Sequence, residues 1–260
     1  MTKTNDIKFK KTNLEINYED FINPKNTETI VILHWWWWSS QSWLTVWKLL
    51  LKNWFNVIIP DLPGFGKTKL EKVFDLDEYS AVIEEFIKEL WLKNIILWWH
   101  SNWWAISIKI ANRWNINILR LVLNNSAWIR SDTKRNFKRK ILKLLIRPIK
   151  YFKKVPLYNR IRNIFYKAIW SHDYLNAEKN PYLKKTYLNM IKSDLKDIIK
   201  KIELNTLLIW WENDTYTPKS DWNYMRNHIK NSKIVILENE KHWIHLTSPE
   251  KLVNTFLNNI

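Results

Sequence analysis

The sequence predicts a doubly wound, mostly parallel α/β sheet with one inserted helical segment. Three observations carry that expectation. Short apolar, β-branched runs recur along the 260 residues, stretches with helical spacing separate them, and the alternation stops between about 126 and 204, where basic helical sequence parts two strands. A chain of this length can bury a substantial core in one domain.

In chain order, Leu14 to Tyr18 reads as an antiparallel edge strand placed before the parallel core. Ile30 to His34, Val57 to Pro60, Asn94 to Leu97, Leu119 to Asn124, Thr206 to Ile209 and Lys233 to Leu237 read as buried parallel strands, because near-continuous apolar runs suit strands covered on both faces. Ser42 to Asn53, Asp77 to Leu90, Trp104 to Arg113, Lys219 to Lys230 and Pro249 to Asn258 carry helical spacing and supply the covering layers. Residues 1–126 and 204–260 are thus expected to form a core domain, and 127–203 a helical, basic cap.

Composition narrows the function classes. The chain has no cysteine, which excludes disulfides, thiolate metal sites and a cysteine nucleophile. Met1 to Lys11 is polar and charged, and no apolar run is long enough to span a bilayer, so a soluble cytoplasmic protein is expected. The net charge is +17, of which residues 130–170 alone hold +13. That concentration argues against a general nucleic-acid surface. It reads as a solvated cationic face on an amphipathic cap, with weak contact to an anionic membrane as the sharper alternative.

Nineteen tryptophans stand against two glycines. An ordinary chain of this size carries roughly 18 glycines, about 7%. The runs Trp35-Trp36-Trp37-Trp38, Trp98-Trp99, Trp103-Trp104 and Trp210-Trp211 crowd indoles onto consecutive positions, which no packing logic requires.

Ser101 follows the strand Asn94 to Leu97 and precedes the helix beginning at Trp104. A sharp strand-to-helix turn of this kind exposes a nucleophilic hydroxyl, and it asks for small residues two before and two after the serine. Trp99 and Trp103 occupy those places and crowd the turn. A serine at a helix start can instead be an N-cap. A serine nucleophile needs a base to take its proton and an acid to orient that base. Asp214 follows the strand Thr206 to Ile209, and His242 follows the last strand. Asp132 is the alternative acid, Asp221 reads as a helix-start residue and Glu212 as a solvated one. His245 reads as a packing residue, and a metal held by His242 and His245 lacks a further ligand at suitable spacing. Gly66-Lys67-Thr68 is not a phosphate loop, because Asp61 stands where that motif needs its first glycine.

These segments together resemble the α/β-hydrolase family. Asp61-Leu62-Pro63-Gly64-Phe65-Gly66 matches its D-x-P-G-x-G stretch as it stands. His34 to Ser39 resembles the H-G-x-G-G-S loop, Trp99-His100-Ser101-Asn102-Trp103 the G-H-S-N-G elbow, and Trp211 to Pro218 the G-x-x-D-x-x-x-P acid loop, once tryptophan is read as glycine. Lys241 to Leu246 resembles the G-H-x-x-H-L loop. We therefore expect most tryptophan positions to be glycine, encoded by UGA codons that the source organism reads as glycine. The abundance of Lys, Asn and Ile fits an AT-rich genome in which such reassignment occurs. Family members often carry an aromatic at the positions of Trp36, Trp43 and Trp210, which are the candidates for genuine tryptophans.

The resemblance implies a serine hydrolase of small or medium carboxylic esters. It assigns Ser101, Asp214 and His242 to catalysis and the backbone N–H groups of Asn102 and of Trp36 or Trp35 to the oxyanion. His34 and His100 take structural roles, and no metal or organic cofactor is implied. Carbon–carbon bond hydrolysis and acyl transfer use the same three residues and stay open. So does a non-catalytic protein that binds a membrane or polyanion through the basic cap.

Overall fold

The computed structural model describes residues 3–8, 14–101, 104–113, 116–126, 177, 180–190, 192–193, 195–214, 217, 219–240 and 242–260. The described residues build an eight-stranded sheet in the order β1-β2-β4-β3-β5-β6-β7-β8. Its strands are β1 (Lys3–Lys8), β2 (Glu15–Phe21), β3 (Thr29–Leu33), β4 (Asn56–Pro60), β5 (Ile95–His100), β6 (Ile118–Asn124), β7 (Asn205–Trp211) and β8 (Ser232–Leu237). β2 pairs antiparallel with β1 and β4, and every pairing from β4 to β8 is parallel. The six predicted parallel strands are present, and the strand predicted over Leu14 to Tyr18 is present and antiparallel, but it is not the edge, because β1 pairs along its outer side. β1 was not foreseen: its sequence KTNDIK has no apolar alternation to announce a strand, and it pairs with β2 at the sheet's margin.

Helices α1 (Leu44–Lys52), α2 (Leu76–Glu89), α3 (Trp104–Arg113), α4 (Pro181–Met190), α5 (Lys196–Ile199), α6 (Lys219–His228), α7 (Ile244–Thr247) and α8 (Pro249–Leu257) join these strands. Alternate residues of the central strands feed two cores. Ile30, Ile32, Ile96, Trp98 and Val122 meet Val46 and Leu50 of α1 and Leu252 and Phe256 of α8. Val31, Leu33, Leu97, Trp99 and Leu123 meet Val82, Ile83 and Phe86 of α2 and Ile106 and Ile110 of α3. This division follows from the two-residue period of a strand, which sends neighbours to opposite faces. α2 starts at a capping box in which Asp75 accepts from the Glu78 N–H and Glu78 accepts from the Asp75 N–H.

Residues 127–176 of the expected cap, including the basic stretch and Asp132, lie outside the described residues. The part of the insert that is described contributes α4 and α5. Thr186 and Asn189 of α4 bond the Phe74 backbone at 2.9 and 3.3 Å, which ties the insert to the loop before α2. No described helix is long and apolar enough to cross a membrane.

Three tryptophans adopt backbone conformations that favour glycine. Trp37, Trp54 and Trp91 have φ of 75°, 68° and 52°. Trp54 follows the C-cap Asn53 of α1, and there the N–H groups of Trp54 and Phe55 reach the carbonyls of Leu51 and Leu50 at 3.2 and 3.3 Å. That pair of bonds is a Schellman motif with tryptophan at its left-handed position. Trp91 holds the corresponding place after α2, donating to the Lys88 carbonyl at 2.9 Å. Both side chains are exposed, 69% and 87%, so packing does not explain them. Trp37 is third in a turn closed by the Trp38 N–H on the Trp35 carbonyl at 3.1 Å, the place where a type II turn needs positive φ.

Candidate active site

The site residues converge because the strands that precede them are parallel and end together. β4 lies on one side of β3 and β5 on the other, so the chain reverses its direction of travel across the sheet between β3 and β5. A crevice forms outside the carboxyl ends at such a switch point. His34 follows β3, Asp61 follows β4, Ser101 follows β5, Asn125 follows β6, Asp214 follows β7 and His242 follows β8.

Ser101 sits at φ 67° and its N–H donates to the Asn124 carbonyl at 2.8 Å, continuing the β5–β6 ladder one residue beyond the strand. A serine in the left-handed region is strained, and such strain is typical of functional turns. Its Oγ lies 2.8 Å from His242 Nε2, and His242 Nδ1 lies 2.7 Å from Asp214 Oδ2. An ionised carboxylate only accepts, so Nδ1 carries the proton toward Asp214 and Nε2 is left to accept from the serine hydroxyl. The side chains of His242 and Asp214 are 1% and 0% exposed, and Ser101 is fully buried.

Asp214 is held by further donors. Thr217 gives its N–H to Oδ1 at 3.2 Å and its hydroxyl to Oδ2 at 2.7 Å, and Asn125 Nδ2 donates to Oδ2. Sequence reasoning singled out neither Thr217 nor Asn125. The threonine stood inside the acid loop, and Asn125 was legible only as a polar residue ending a buried strand. Asp221 is a fully buried residue in the first turn of α6, where it accepts from the Ser220 hydroxyl at 3.2 Å, and Glu212 is exposed.

Three further buried histidines, His34, His100 and His245, are held as neutral rings. His34 Nδ1 bonds the Trp35 carbonyl at 2.8 Å and its Nε2 accepts from the Leu62 N–H at 3.0 Å. Burial pushes its pKa down to about 4, against the opposing pull of the Trp35 carbonyl and Asp61. His100 is held well below the usual range by burial and by the nearby His245 and His242, and its Nε2 meets the His242 carbonyl at 3.1 Å. His245 stacks on Trp43 with ring centres 4.8 Å apart, and burial with His242 nearby pushes its pKa down to about 3. Its ring is buried in the core. Among the described residues no group of three His, Cys, Asp or Glu side chains is placed to hold a metal.

Asp61 accepts from the Ser40 N–H at 2.8 Å and the Lys67 N–H at 2.9 Å, joining the loops after β3 and β4. Its role is to shape the loop that carries Trp35 and Trp36. The Trp35 ring stands edge-on to His242 at 5.0 Å and against Trp243 at 4.6 Å, while Trp36 packs on Phe65 at 4.5 Å and Tyr187 of α4 at 5.7 Å. The approach to Ser101 is therefore filled with indoles. Asn102 and Trp103 lie outside the described residues. The indole N–H groups of Trp43, Trp47, Trp98, Trp99 and Trp211 are buried with no acceptor among the described residues, each an unsatisfied donor costing about 1–3 kcal/mol. Trp210 differs, its N–H reaching the Thr217 carbonyl at 3.5 Å. A cavity of ≈ 310 Å³ lined by Arg120, Asn205, Ser232 and Lys233 opens at the amino ends of β6, β7 and β8, the opposite end of the sheet from Ser101.

Comparison with known proteins agrees with this architecture. The model of a family described as the alpha/beta hydrolase family matches residues 30–255. No curated protein sequence matches the chain. Among solved structures, an esterase from Exiguobacterium antarcticum is similar at 20% identity and a TM-score of 0.73, over 98% of this chain and 98% of its own. A thermophilic esterase from Thermogutta terrifontis is similar at 17% identity and 0.70, over 98% and 97%. A bromoperoxidase from Bacillus anthracis is similar at 18% identity and 0.72, over 98% and 99%. At these identities the likeness is one of fold, and the fold carries more than one chemistry.

Proposed function

The chain belongs to the alpha/beta hydrolase family of enzymes, and from that premise we propose that it hydrolyses small or medium carboxylic esters through an acyl-enzyme on Ser101. The observation that carries the reading is the unbroken chain of bonds from Ser101 Oγ through His242 to Asp214, 2.8 and 2.7 Å long, at the carboxyl ends of β5, β7 and β8. His242 Nε2 takes the serine proton as Oγ bonds to the ester carbonyl carbon. Asp214 holds the ring and balances the imidazolium. The oxyanion is met by the backbone N–H of Asn102 and that of Trp36 or Trp35. As the intermediate collapses, the bond to the alcohol oxygen breaks and His242 returns its proton to that oxygen. Water then enters by the same route and gives one proton to His242 as its oxygen bonds to the acyl carbon; when this second intermediate collapses, the bond to Ser101 Oγ breaks, His242 returns the proton to Oγ, and the acid leaves. We assign residues 127–203 to a cap over this entrance, a reading supported by the contact of Tyr187 of α4 with Trp36, ring centres 5.7 Å apart.

The reading includes the identity of the tryptophans. We propose that most are glycine in the organism's own protein. The left-handed backbone at Trp37, Trp54 and Trp91, the Schellman bonds around Trp54, the buried indole N–H groups of Trp47, Trp98, Trp99 and Trp211 without an acceptor among the described residues and the indoles packed beside His242 all support it. Glycine is at ease at positive φ and would empty the entrance.

Two measurements test these readings. Peptide masses of the native protein should return glycine at positions 37, 54, 91, 98 and 99, and tryptophan masses there would refute the recoding. A fluorophosphonate probe should label the folded protein and lose that labelling in Ser101→Ala. Folded protein that takes no label would overturn the hydrolase mechanism.

A further inference from the structure

Asn125 is buried and ends β6 at φ 42°, a left-handed conformation that asparagine tolerates better than most side chains. Its backbone N–H donates to the Ile209 carbonyl at 2.9 Å and its Oδ1 accepts the Trp211 N–H at 3.1 Å, so backbone and side chain together span from β6 to β7. Its amide nitrogen has two protons. One goes to Asp214 Oδ2, and the other to Thr217 Oγ at 3.2 Å, whose own hydroxyl proton goes to the same Oδ2 at 2.7 Å. Three donors, counting His242 Nδ1, therefore address a single carboxylate oxygen.

We infer that Asn125 is a positioning residue of the reaction proposed above, acting through Asp214 rather than on substrate: its amide, with Thr217, turns Oδ2 toward His242 Nδ1. The inference rests on the hydrolase reading. The carboxylate is a short side chain on a loop, and its other oxygen is bound by the Thr217 N–H. Without the amide, Oδ2 loses one of the three donors that address it, which weakens its hold against rotation about Cβ–Cγ away from the imidazole. A misplacement of about 1 Å in such a relay costs up to about a hundredfold in rate.

Two variants separate positioning from a backbone role. Asn125→Gly relaxes the left-handed backbone and removes both the N–H donors to Asp214 and Thr217 and the Oδ1 acceptor of the Trp211 N–H, so a purely backbone-conformational role would be rescued by it. Asn125→Asp keeps the shape and the Trp211 contact but places a second carboxyl against Asp214. While that pair shares one proton, the new carboxyl donates an O–H as the amide donated its N–H; once the proton leaves, two carboxylates face each other and repel.

The experiment is a pH profile of kcat/KM with a 4-nitrophenyl ester, on protein carrying whichever residue the peptide masses return at each tryptophan position. Asn125→Gly should lose tenfold or more in kcat with KM little changed. Asn125→Asp should fall progressively further below the parent as pH rises. Parent-like activity in Asn125→Gly, or a pH-independent loss in Asn125→Asp, overturns the inference while leaving Ser101 labelling intact. If Asn125→Gly does not fold, the isosteric Asn125→Asp profile decides alone. A folded parent that neither labels nor turns over refutes the hydrolase reading itself, and the inference with it.

Discussion

His100 Nε2 donates to the carbonyl of His242 across 3.1 Å, so the residue before Ser101 holds the backbone of the histidine that faces that serine. Burial and the neighbouring histidines keep the His100 ring neutral, and a neutral ring bonded in this way carries its proton on Nε2. The elbow and the histidine loop are thereby locked to each other independently of the Ser101–His242 bond.

Replacing His100 by Phe preserves ring volume and removes the donor. The His242 carbonyl then lies buried without it, at a cost of about 1–3 kcal/mol, and the loop relaxes away from Ser101. We expect kcat to fall about ten- to a hundredfold with KM little altered. Steady-state kinetics beside a urea titration check this; unchanged kcat in a destabilised variant would assign His100 to stability alone.

The parallel sheet was legible because its strands are unbroken apolar runs, and the meeting of Ser101, Asp214 and His242 was legible because each follows such a run in a characteristic loop. Asn125 was not, since its importance lies in a contact with a residue 89 positions away that no local pattern encodes. β1 escaped for a different reason: a marginal strand needs only a backbone partner, and KTNDIK offers no alternation to read. The tryptophan runs read as anomalies of composition, yet the conformational demand at Trp54 and Trp91 became visible only as left-handed helix ends.

Stability should fall with acid before any carboxylate is neutralised. His34 and His245 are held down to about 4 and about 3, chiefly by burial, from an ordinary 6.5. The unfolded chain therefore binds protons there that the folded chain refuses. Their contribution is intact above 6.5 and is lost as pH falls toward the folded values, at about 1.4 kcal/mol per pH unit for each ring. Asp77, whose pKa is lowered by its hydrogen bond to Lys109, yields its share only below its ordinary 3.8. Urea midpoints should drop between pH 6.5 and 5, with a shallower drop in His245→Gln. A flat midpoint across that window would refute the neutral-histidine assignment.

Trp54→Gly and Trp91→Gly should stabilise any chain that carries tryptophan at these places. Both residues are exposed, 69% and 87%, at left-handed helix ends, so little packing is lost and about 1–2 kcal/mol of conformational strain is relieved at each. Thermal midpoints should rise by roughly 2–4 °C per kcal/mol. Buried Trp98, in contact with Phe256 at 4.6 Å between ring centres, is the contrast: its glycine variant gives up core contacts as well as an unsatisfied N–H. A fall in midpoint for the two exposed variants would remove the helix-end support for glycine at those positions.

Gly66→Ala should be more damaging than Gly64→Ala, although both glycines have positive φ. A Cβ on Gly66 would lie 2.2 Å from Cγ of Asp61, whereas one on Gly64 would meet Leu183 Cδ1 at 2.9 Å. The leucine methyl ends a flexible side chain and can rotate aside. Asp61 cannot, because its two oxygens are bound to the Ser40 and Lys67 N–H groups, so relieving the clash means breaking bonds worth about 1.5–3 kcal/mol each. The loop after β3 loses its anchor in the same step, which predicts reduced activity as well as a lower thermal midpoint. Asp61→Ala separates the causes: in that background Gly66→Ala should cost only the backbone strain of about 1–2 kcal/mol. Equal losses in the two backgrounds would show that Asp61 is not what excludes a side chain at position 66.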